Sequence, residues 1–189
     1  MRIIAGVAKG RTLGSVAGST RPTSDRAREA VFSSLTSEFG DFLGLHVLDL
    51  FGGSGAISLE ALSRGASIVH VIECDFEAQK TIQNNYELVR KNQPAGDFRL
   101  YSMSAQRFVT ETAKEKYHFV YIDPPFDFAD NEVEDLVGKL HTEGFLKKDA
   151  MVAIERTARG SKFCWPDAFT ALRQRKYGAA TIYYGNYAP

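Results

Sequence analysis

The run Phe119-Val120-Tyr121-Ile122-Asp123-Pro124-Pro125-Phe126 carries an apolar stretch into a carboxylate, two prolines and an aromatic ring. Two consecutive prolines remove two backbone donors and restrict φ, and the residue before a proline is driven toward extended backbone. The loop therefore offers mainly acceptors, which suits a substrate that brings N–H donors. An exocyclic amine of a nucleobase is such a substrate. Hydrogen bonds to the Asp123 carboxylate and the Pro124 carbonyl would localise a lone pair otherwise delocalised into the ring. Pro125 stiffens the loop and Phe126 can stack on an extracted base. The bland alternative is an ordinary loop after a buried strand, with Asp123 as a helix cap and Phe126 in the core.

A second constellation is Val47-Leu48-Asp49-Leu50-Phe51-Gly52-Gly53-Ser54-Gly55, an apolar strand running into a glycine-rich turn and then a helix. Glycines allow a ligand to approach the backbone closely, because a Cβ would occupy that space. By itself the turn could hold a dinucleotide, a phosphate or nothing. The next apolar run, Ile68-Val69-His70-Val71-Ile72-Glu73, ends in a carboxylate 20 residues after Gly53, where it can accept hydrogen bonds from both ribose hydroxyls of an adenosine group. The turn lacks the G-x-G-x-x-G form and a Lys followed by Ser or Thr, so neither a pyrophosphate nor a triphosphate is well provided for. An adenosine ligand without phosphates fits better, and S-adenosylmethionine is such a ligand. Phe51, Gly52, Gly53, Ser54, Gly55, Glu73 and Cys74 are the expected cofactor positions, joined by Asp123 from the acceptor loop. Asp49 could hold the amino-acid end of the cofactor, directly or through water, or could simply cap the turn. The chemistry implied is direct in-line methyl transfer, driven by positioning and by the departing sulfonium charge, with no covalent enzyme intermediate.

The elements that must position these residues follow from alternation. Apolar runs at 46–51, 68–73, 98–102, 118–123 and 151–155 are separated by helical patterns at 55–64, 76–91, 104–115 and 131–141. Strands alternating with helices make βαβ units, hence an α/β fold with a mostly parallel sheet and ligands at the carboxyl ends of its strands. Candidate strands at 170–177 and 179–185, separated by Gly178, read as a closing antiparallel hairpin. Upstream, a helix runs from an N-cap at Thr23 or Ser24 through Ala27, Ala30, Val31 and Leu35 to Gly40, and segments 2–5 and 11–16 flank a turn as a small hairpin. The expected division is a hairpin extension over 1–20 and a main domain over 21–189.

Composition narrows the function further. The chain of 189 residues is 44% hydrophobic and 24% charged, which suits one globular core. The start Met1-Arg2-Ile3-Ile4-Ala5-Gly6 is not a signal peptide, and no apolar run reaches the length of a membrane span, so a soluble cytoplasmic protein is expected. Cys74 and Cys164 fit neither a zinc site nor a disulfide framework, and no metal is expected. His46, His70, His118 and His141 sit in or beside apolar segments and read as structural. The net charge of zero conceals +5 over residues 1–28 and +5 over residues 156–189, leaving −10 between them. Were the two ends to meet on one side, they would make a face suited to phosphates.

At this point the residues resemble a family, the bacterial 16S ribosomal RNA guanine-N2 methyltransferases of the RsmD type. The resemblance runs through Met1 to Gly6 with Gly10-Arg11, Arg21-Pro22-Thr23-Ser24-Asp25-Arg26 with Arg28-Glu29-Ala30, the Asp49 to Gly55 turn and Leu59 to Ala66. Asp123 to Phe126 and Lys176-Tyr177-Gly178 complete it. It implies a Rossmann-like class I methyltransferase sheet of seven strands with the last inserted antiparallel, and a hairpin that helps grip RNA. The implied reaction is methylation of one guanine of the small-subunit RNA, position 966. It also implies Thr23 near S-adenosyl-L-methionine, Arg21 and Arg26 serving the site, and Ser104 and Ala105 near the adenine. Met103-Ser104-Ala105 replaces a more usual acidic or amide residue there, which weakens a side-chain contact but leaves the Ala105 amide able to reach the ring. Gly53 stands where the family usually has alanine. The expected RNA-binding set is Arg2, Lys9, Arg11, Arg21, Arg26 and Arg28. The expected partner is 16S rRNA within an assembling 30S particle, bound by a monomer. Competing readings are an N6-adenine methyltransferase on RNA or DNA, a small-molecule methyltransferase and a non-catalytic RNA-binding assembly module.

Overall fold

The computed structural model describes residues 1–16, 25–157 and 163–189. Its order is α1 (Asp25–Phe39), β1 (His46–Asp49), α2 (Ala56–Ser63), β2 (Ile68–Glu73), α3 (Phe76–Arg90), β3 (Asp97–Ser102), α4 (Ala105–Phe108), β4 (Tyr117–Ile122), α5 (Asp130–Thr142), β5 (Leu146–Thr157), β6 (Phe169–Tyr177) and β7 (Ala180–Tyr187). The seven strands form one sheet in the order β3-β2-β1-β4-β5-β7-β6. β1 to β5 run parallel, while β7 lies antiparallel between β5 and β6, as the family resemblance implies. This is the Rossmann-like fold of the class I methyltransferases, with its switch of strand order between β1 and β4.

Side-chain alternation divides the core into two layers. Val47, Val71, Phe119, Tyr121, Ala153 and Tyr184 face α1, α2 and α3, whereas Leu48, Ile72, Val120, Ile122 and Ile154 face α4 and α5. Central parallel strands buried on both faces read as continuous apolar runs, which is why the sequence showed them so clearly.

The expected helix over 104–115 is corrected to a single turn, α4. Phe108 and Val109 are its last buried residues, and the segment that follows is polar and largely exposed. With no apolar stripe to bury and β-branched Val109 and Thr110 at its end, the helix has nothing to extend it.

The N-terminal hairpin reduces to one antiparallel bridge, Arg2 to Thr12, supported by Ile3 N–H to Arg11 O at 2.9 Å and Leu13 N–H to Met1 O at 3.0 Å. Its hold on the rest is polar as well as apolar. Glu60 of α2, wholly buried, accepts from Ile4 N at 2.7 Å, from Ala5 N at 3.0 Å and from Arg64 Nε at 2.8 Å. Ser63 Oγ donates to Ala5 O at 2.7 Å and accepts from Ala8 N at 3.0 Å. Gly6 passes so close to α2 at φ +83° that a Cβ would lie 1.8 Å from Ser63 O. Glycine is required there on both counts.

Candidate active site

The carboxyl ends of β1, β2 and β4 enclose a cavity of about 790 Å³. It is lined by Leu50, Phe51 and Gly53 from the glycine turn, and by Ile72, Glu73, Cys74 and Asp75 from the end of β2. Met103, Ser104, Ala105 and Gln106 at the start of α4 and the whole run Asp123 to Phe128 complete it. The two constellations read from the sequence therefore face one space.

Glu73 organises the turn. One of its carboxylate oxygens accepts from Gly53 N at 2.8 Å and the other from Asp75 N at 2.8 Å. Each oxygen retains a second lone pair, so the carboxylate has capacity for two further donors, such as a pair of ribose hydroxyls. Asp75 caps α3 by accepting from Ala78 N at 2.8 Å.

The glycines of the turn have separate duties, which modifies the expectation that all of them admit a ligand. A Cβ on Gly52 would fall 2.4 Å from Val71 Cγ1 and 2.9 Å from Ile82 Cδ1, so this glycine serves core packing. Gly55, at φ +78°, begins α2 in a left-handed conformation. Only Gly53 opens to the cavity, and a Cβ there would meet nothing within 4 Å. Ser54 lies outside the lining; its carbonyl accepts from Asn85 Nδ2 at 2.9 Å. Asn85, almost fully buried on α3, also accepts from Gly14 N at 2.7 Å and donates to Gly14 O at 3.0 Å, fastening the N-terminal segment to the glycine turn.

Asp49, buried at the end of β1, does not line the cavity. Oδ2 accepts from Ser58 Oγ at 2.6 Å, whereas Oδ1 is buried without a hydrogen-bond partner. Burial, opposed by the Ser58 hydrogen bond, raises its pKa to about 6. A buried acceptor left unpaired costs about 1–3 kcal/mol, so a cationic donor or a bridging water would be favourable here. An amino-acid ammonium suits that position. The open Gly53, the Glu73 acceptors and this orphaned oxygen together fit a bound S-adenosylmethionine.

The acceptor loop is braced from β5. Arg156 Nη2 donates to Phe128 O at 2.6 Å and its Nε to Asp130 Oδ1 at 2.9 Å, while Phe128 N donates to Pro125 O at 3.0 Å. The Phe128 ring meets Phe51 edge-on with centroids 5.4 Å apart, closing one wall. Phe126 is 62% exposed, which disposes of its reading as a core residue. Ser104 caps α4 by accepting from Arg107 N at 3.2 Å, so its side chain is engaged by the backbone.

Of the expected RNA-binding residues, Arg2, Lys9, Arg11 and Arg26 are exposed. Arg28 is corrected: it is wholly buried and donates to Arg2 O and to Asp25 Oδ1, so it supports the fold instead of meeting RNA. Arg21 and Thr23, with the Thr23 or Ser24 cap, lie outside the described residues. The four histidines are away from the cavity: His46 donates its backbone N–H to His118 Nδ1 at 2.9 Å at the amino ends of β1 and β4, His70 meets Tyr117 Oη at 2.7 Å, and His141 meets Tyr187 Oη at 2.9 Å. Asp75, Gln106 and Phe128 were missed by sequence reasoning. Asp75 and Gln106 stand within two positions of named residues, and the Phe128 ring could have been suspected from its place two residues after Phe126.

The family described as "Conserved hypothetical protein 95" matches residues 1–186. The chain belongs to this family, which includes RsmD. Among its relatives, "Ribosomal RNA small subunit methyltransferase D" of Escherichia coli (strain K12) is 33% identical over 180 residues, covering 94% of this chain and 85% of the relative. YlbH of Bacillus subtilis (strain 168) is 34% identical over 158 residues, with 82% of each chain covered. The solved structure of yhhF from Escherichia coli superposes with a TM-score of 0.83 at 28% identity, covering 100% of this chain and 98% of that one. Within the family frame the cavity above occupies the crevice at the switch point of the sheet, the usual ligand position in such folds. Among the described residues no helix is long and apolar enough to cross a membrane, and no cluster of His, Cys, Asp or Glu could hold a metal ion.

Proposed function

We propose that the protein methylates the exocyclic N2 amine of a guanine in 16S ribosomal RNA, at the position the family implies, 966, during small-subunit assembly. The observation that carries this reading is that the acceptor-only run Asp123 to Phe126 and the glycine turn with Glu73 line a single cavity. S-adenosylmethionine supplies a sulfonium methyl group, and the protein supplies the geometry. Glu73 holds the ribose, Gly53 gives backbone access, the Ala105 amide and the Met103 and Phe128 side chains bound the adenine side, and Asp49 balances the ammonium. On the facing side, Asp123 and the Pro124 carbonyl accept the two N–H bonds of the amine and aim its lone pair at the methyl carbon. Phe126 holds the base by stacking. As the N–C bond forms and the C–S bond breaks, the surplus proton on nitrogen passes to Asp123 or to water. Proximity and alignment can supply most of the acceleration for such a transfer. Arg2, Lys9, Arg11 and Arg26 contribute phosphate contacts, a sequence-independent part of RNA affinity that weakens as salt rises.

The test is incubation of the protein and labelled S-adenosylmethionine with small subunits lacking this methylation, with naked 16S RNA and with DNA, followed by nucleoside analysis. N2-methylguanosine from the ribosomal substrate is expected. N6-methyladenosine would move the target to adenine, and absence of label from every polymer would reject the reading.

A further inference from the structure

The hairpin of β6 and β7 closes one end of the sheet, with β6 as its outermost strand. Residues 168–189, which contain it, hold Arg173, Arg175 and Lys176 and no acidic side chain. Along β6 only Phe169 is buried. Arg173 pairs with Tyr184 and Arg175 with Ile182, so both stand on the side of the sheet that packs against α1, about 6.8 Å apart along the strand. The Arg173 guanidinium is held over the Tyr184 ring, 4.9 Å from its centroid. The turn after Tyr177 lies at the same edge of the sheet as the acceptor loop: Ala180 pairs with Thr157, three residues beyond Ile154, which is level with Ile122. The first turn of α1 brings the other basic end of the chain to this place. Arg26 lines one pocket with Lys176 and Tyr177, and Arg28 of the same turn donates to the Arg2 carbonyl. Of the acids near in the chain or the sheet, Asp25 is paired with Arg28, Asp130 with Arg156, and Glu155 accepts from the Tyr121 hydroxyl; Glu29 stands exposed one turn beyond Arg26. Among the described residues no carboxylate is paired with Arg26, Arg173, Arg175 or Lys176.

We infer that the β6–β7 hairpin is a phosphate-binding surface for the RNA, on which Arg173, Arg175 and Lys176 continue the contacts of Arg2 and Arg26 from the edge of the sheet along its outer strand. The inference rests on the proposed reading of the protein as a methyltransferase of RNA. A nucleotide held beside Asp123 leaves its neighbours in the strand to be held outside the cavity, and contacts to their phosphates position an RNA without reading its sequence. Cations without a carboxylate partner are the chemistry such a backbone needs, since each phosphate they neutralise releases condensed counterions. Cations on an edge strand also discourage its pairing with a second copy of the chain, a role that the test below separates from RNA binding.

The variant Arg175→Gln with Lys176→Gln removes two exposed charges and breaks no ion pair. Its affinity for small subunits lacking the methylation is measured across a range of salt concentrations, and its S-adenosylmethionine binding by calorimetry. Affinity for the subunits is expected to fall about tenfold or more at 0.1 M salt, and the slope of log affinity against log salt to become shallower by about 1.5. The dissociation constant for S-adenosylmethionine is expected to stay at the wild-type value. Lys114→Gln with Lys116→Gln, an equal change of charge at exposed positions ahead of β4 and so at the opposite edge of the sheet, is the control and is expected to keep the wild-type slope. An Arg175→Gln, Lys176→Gln protein whose affinity and slope match those of the control would overturn the assignment. So would one that changes only in self-association by sedimentation, which would make the charges a guard of the strand edge. A wild-type protein that neither binds the subunits nor methylates them would instead defeat the reading beneath it.

Discussion

The carboxyl edge of the sheet has two halves with opposite chemistry. The β1–β2 half turns backbone N–H groups and left-handed glycines into a cradle around one carboxylate, Glu73, which is tied at both oxygens to the chain. The β4–β5 half strips donors from the backbone with Pro124 and Pro125 and sets two carboxylates, Asp123 and Glu155, at the ends of adjacent strands. On the proposed reading one half would hold the cofactor and the other would orient a substrate amine. Their separation teaches that binding and turnover should be divisible by mutation.

The largest effect expected from breaking that division is Asp123→Ala. It should lower kcat by roughly a hundredfold or more while leaving the dissociation constant for S-adenosylmethionine within about threefold, because the lost hydrogen bond orients the amine in the reacting complex. Calorimetry for binding and single-turnover methylation for chemistry check it. Loss of cofactor affinity in this variant would merge the two halves. Glu73→Ala should show the reverse split, weakening cofactor binding by about tenfold to a hundredfold, the range for hydrogen bonds to a charged group.

A smaller effect separates packing from ligand access within the glycine turn. Gly52→Ala drives a methyl into Val71 and Ile82, and overpacking of that kind costs about 1–3 kcal/mol. Gly53→Ala meets no neighbour and bears only the strain of its φ of +54°, about 1–2 kcal/mol. Urea unfolding checks it: a Gly52→Ala variant as stable as the wild type would contradict the assignment of Gly52 to the core.

Much of this edge was legible beforehand because buried parallel strands announce themselves as apolar runs and because the loops at their ends are read directly. Ile68–Glu73 has the boundaries the pattern predicts. What the pattern could not supply was the partner of each charge. Arg28 counts as one more cation in a basic segment until the fold buries it against Arg2 and Asp25. Glu60 carries a signal that could have been used: α2 is apolar nearly all round, and a carboxylate in a helix buried on every side must be paired. Its partners, the amides of Ile4 and Ala5, lie more than 50 residues away in sequence, beyond the reach of any local pattern. The over-long helix expected at α4 has a different origin: the expected pattern runs past Val109, and the residues after it carry no apolar stripe to bury.

The finest contrast is between Asp49 and Glu73, two acids at the ends of neighbouring strands. Asp49 is buried, and its pKa is raised to about 6 from 3.8, chiefly by desolvation. A folded-state pKa above the unfolded value means that the folded protein holds the proton more tightly. The stability contributed by this group is therefore complete below pH 3.8 and is lost as pH rises through about 6. Asp49→Asn should remove that loss, flattening the melting temperature between those limits and raising stability at pH 7 by about 1 kcal/mol, less than the full linkage because an amide N–H then needs a partner. Thermal unfolding of the two proteins without cofactor across the window checks it. A wild-type slope that survives the substitution would assign the titration elsewhere. Cofactor affinity should fall in the same variant, since on the proposed reading the charge that burdens the fold is the one that would balance the ammonium.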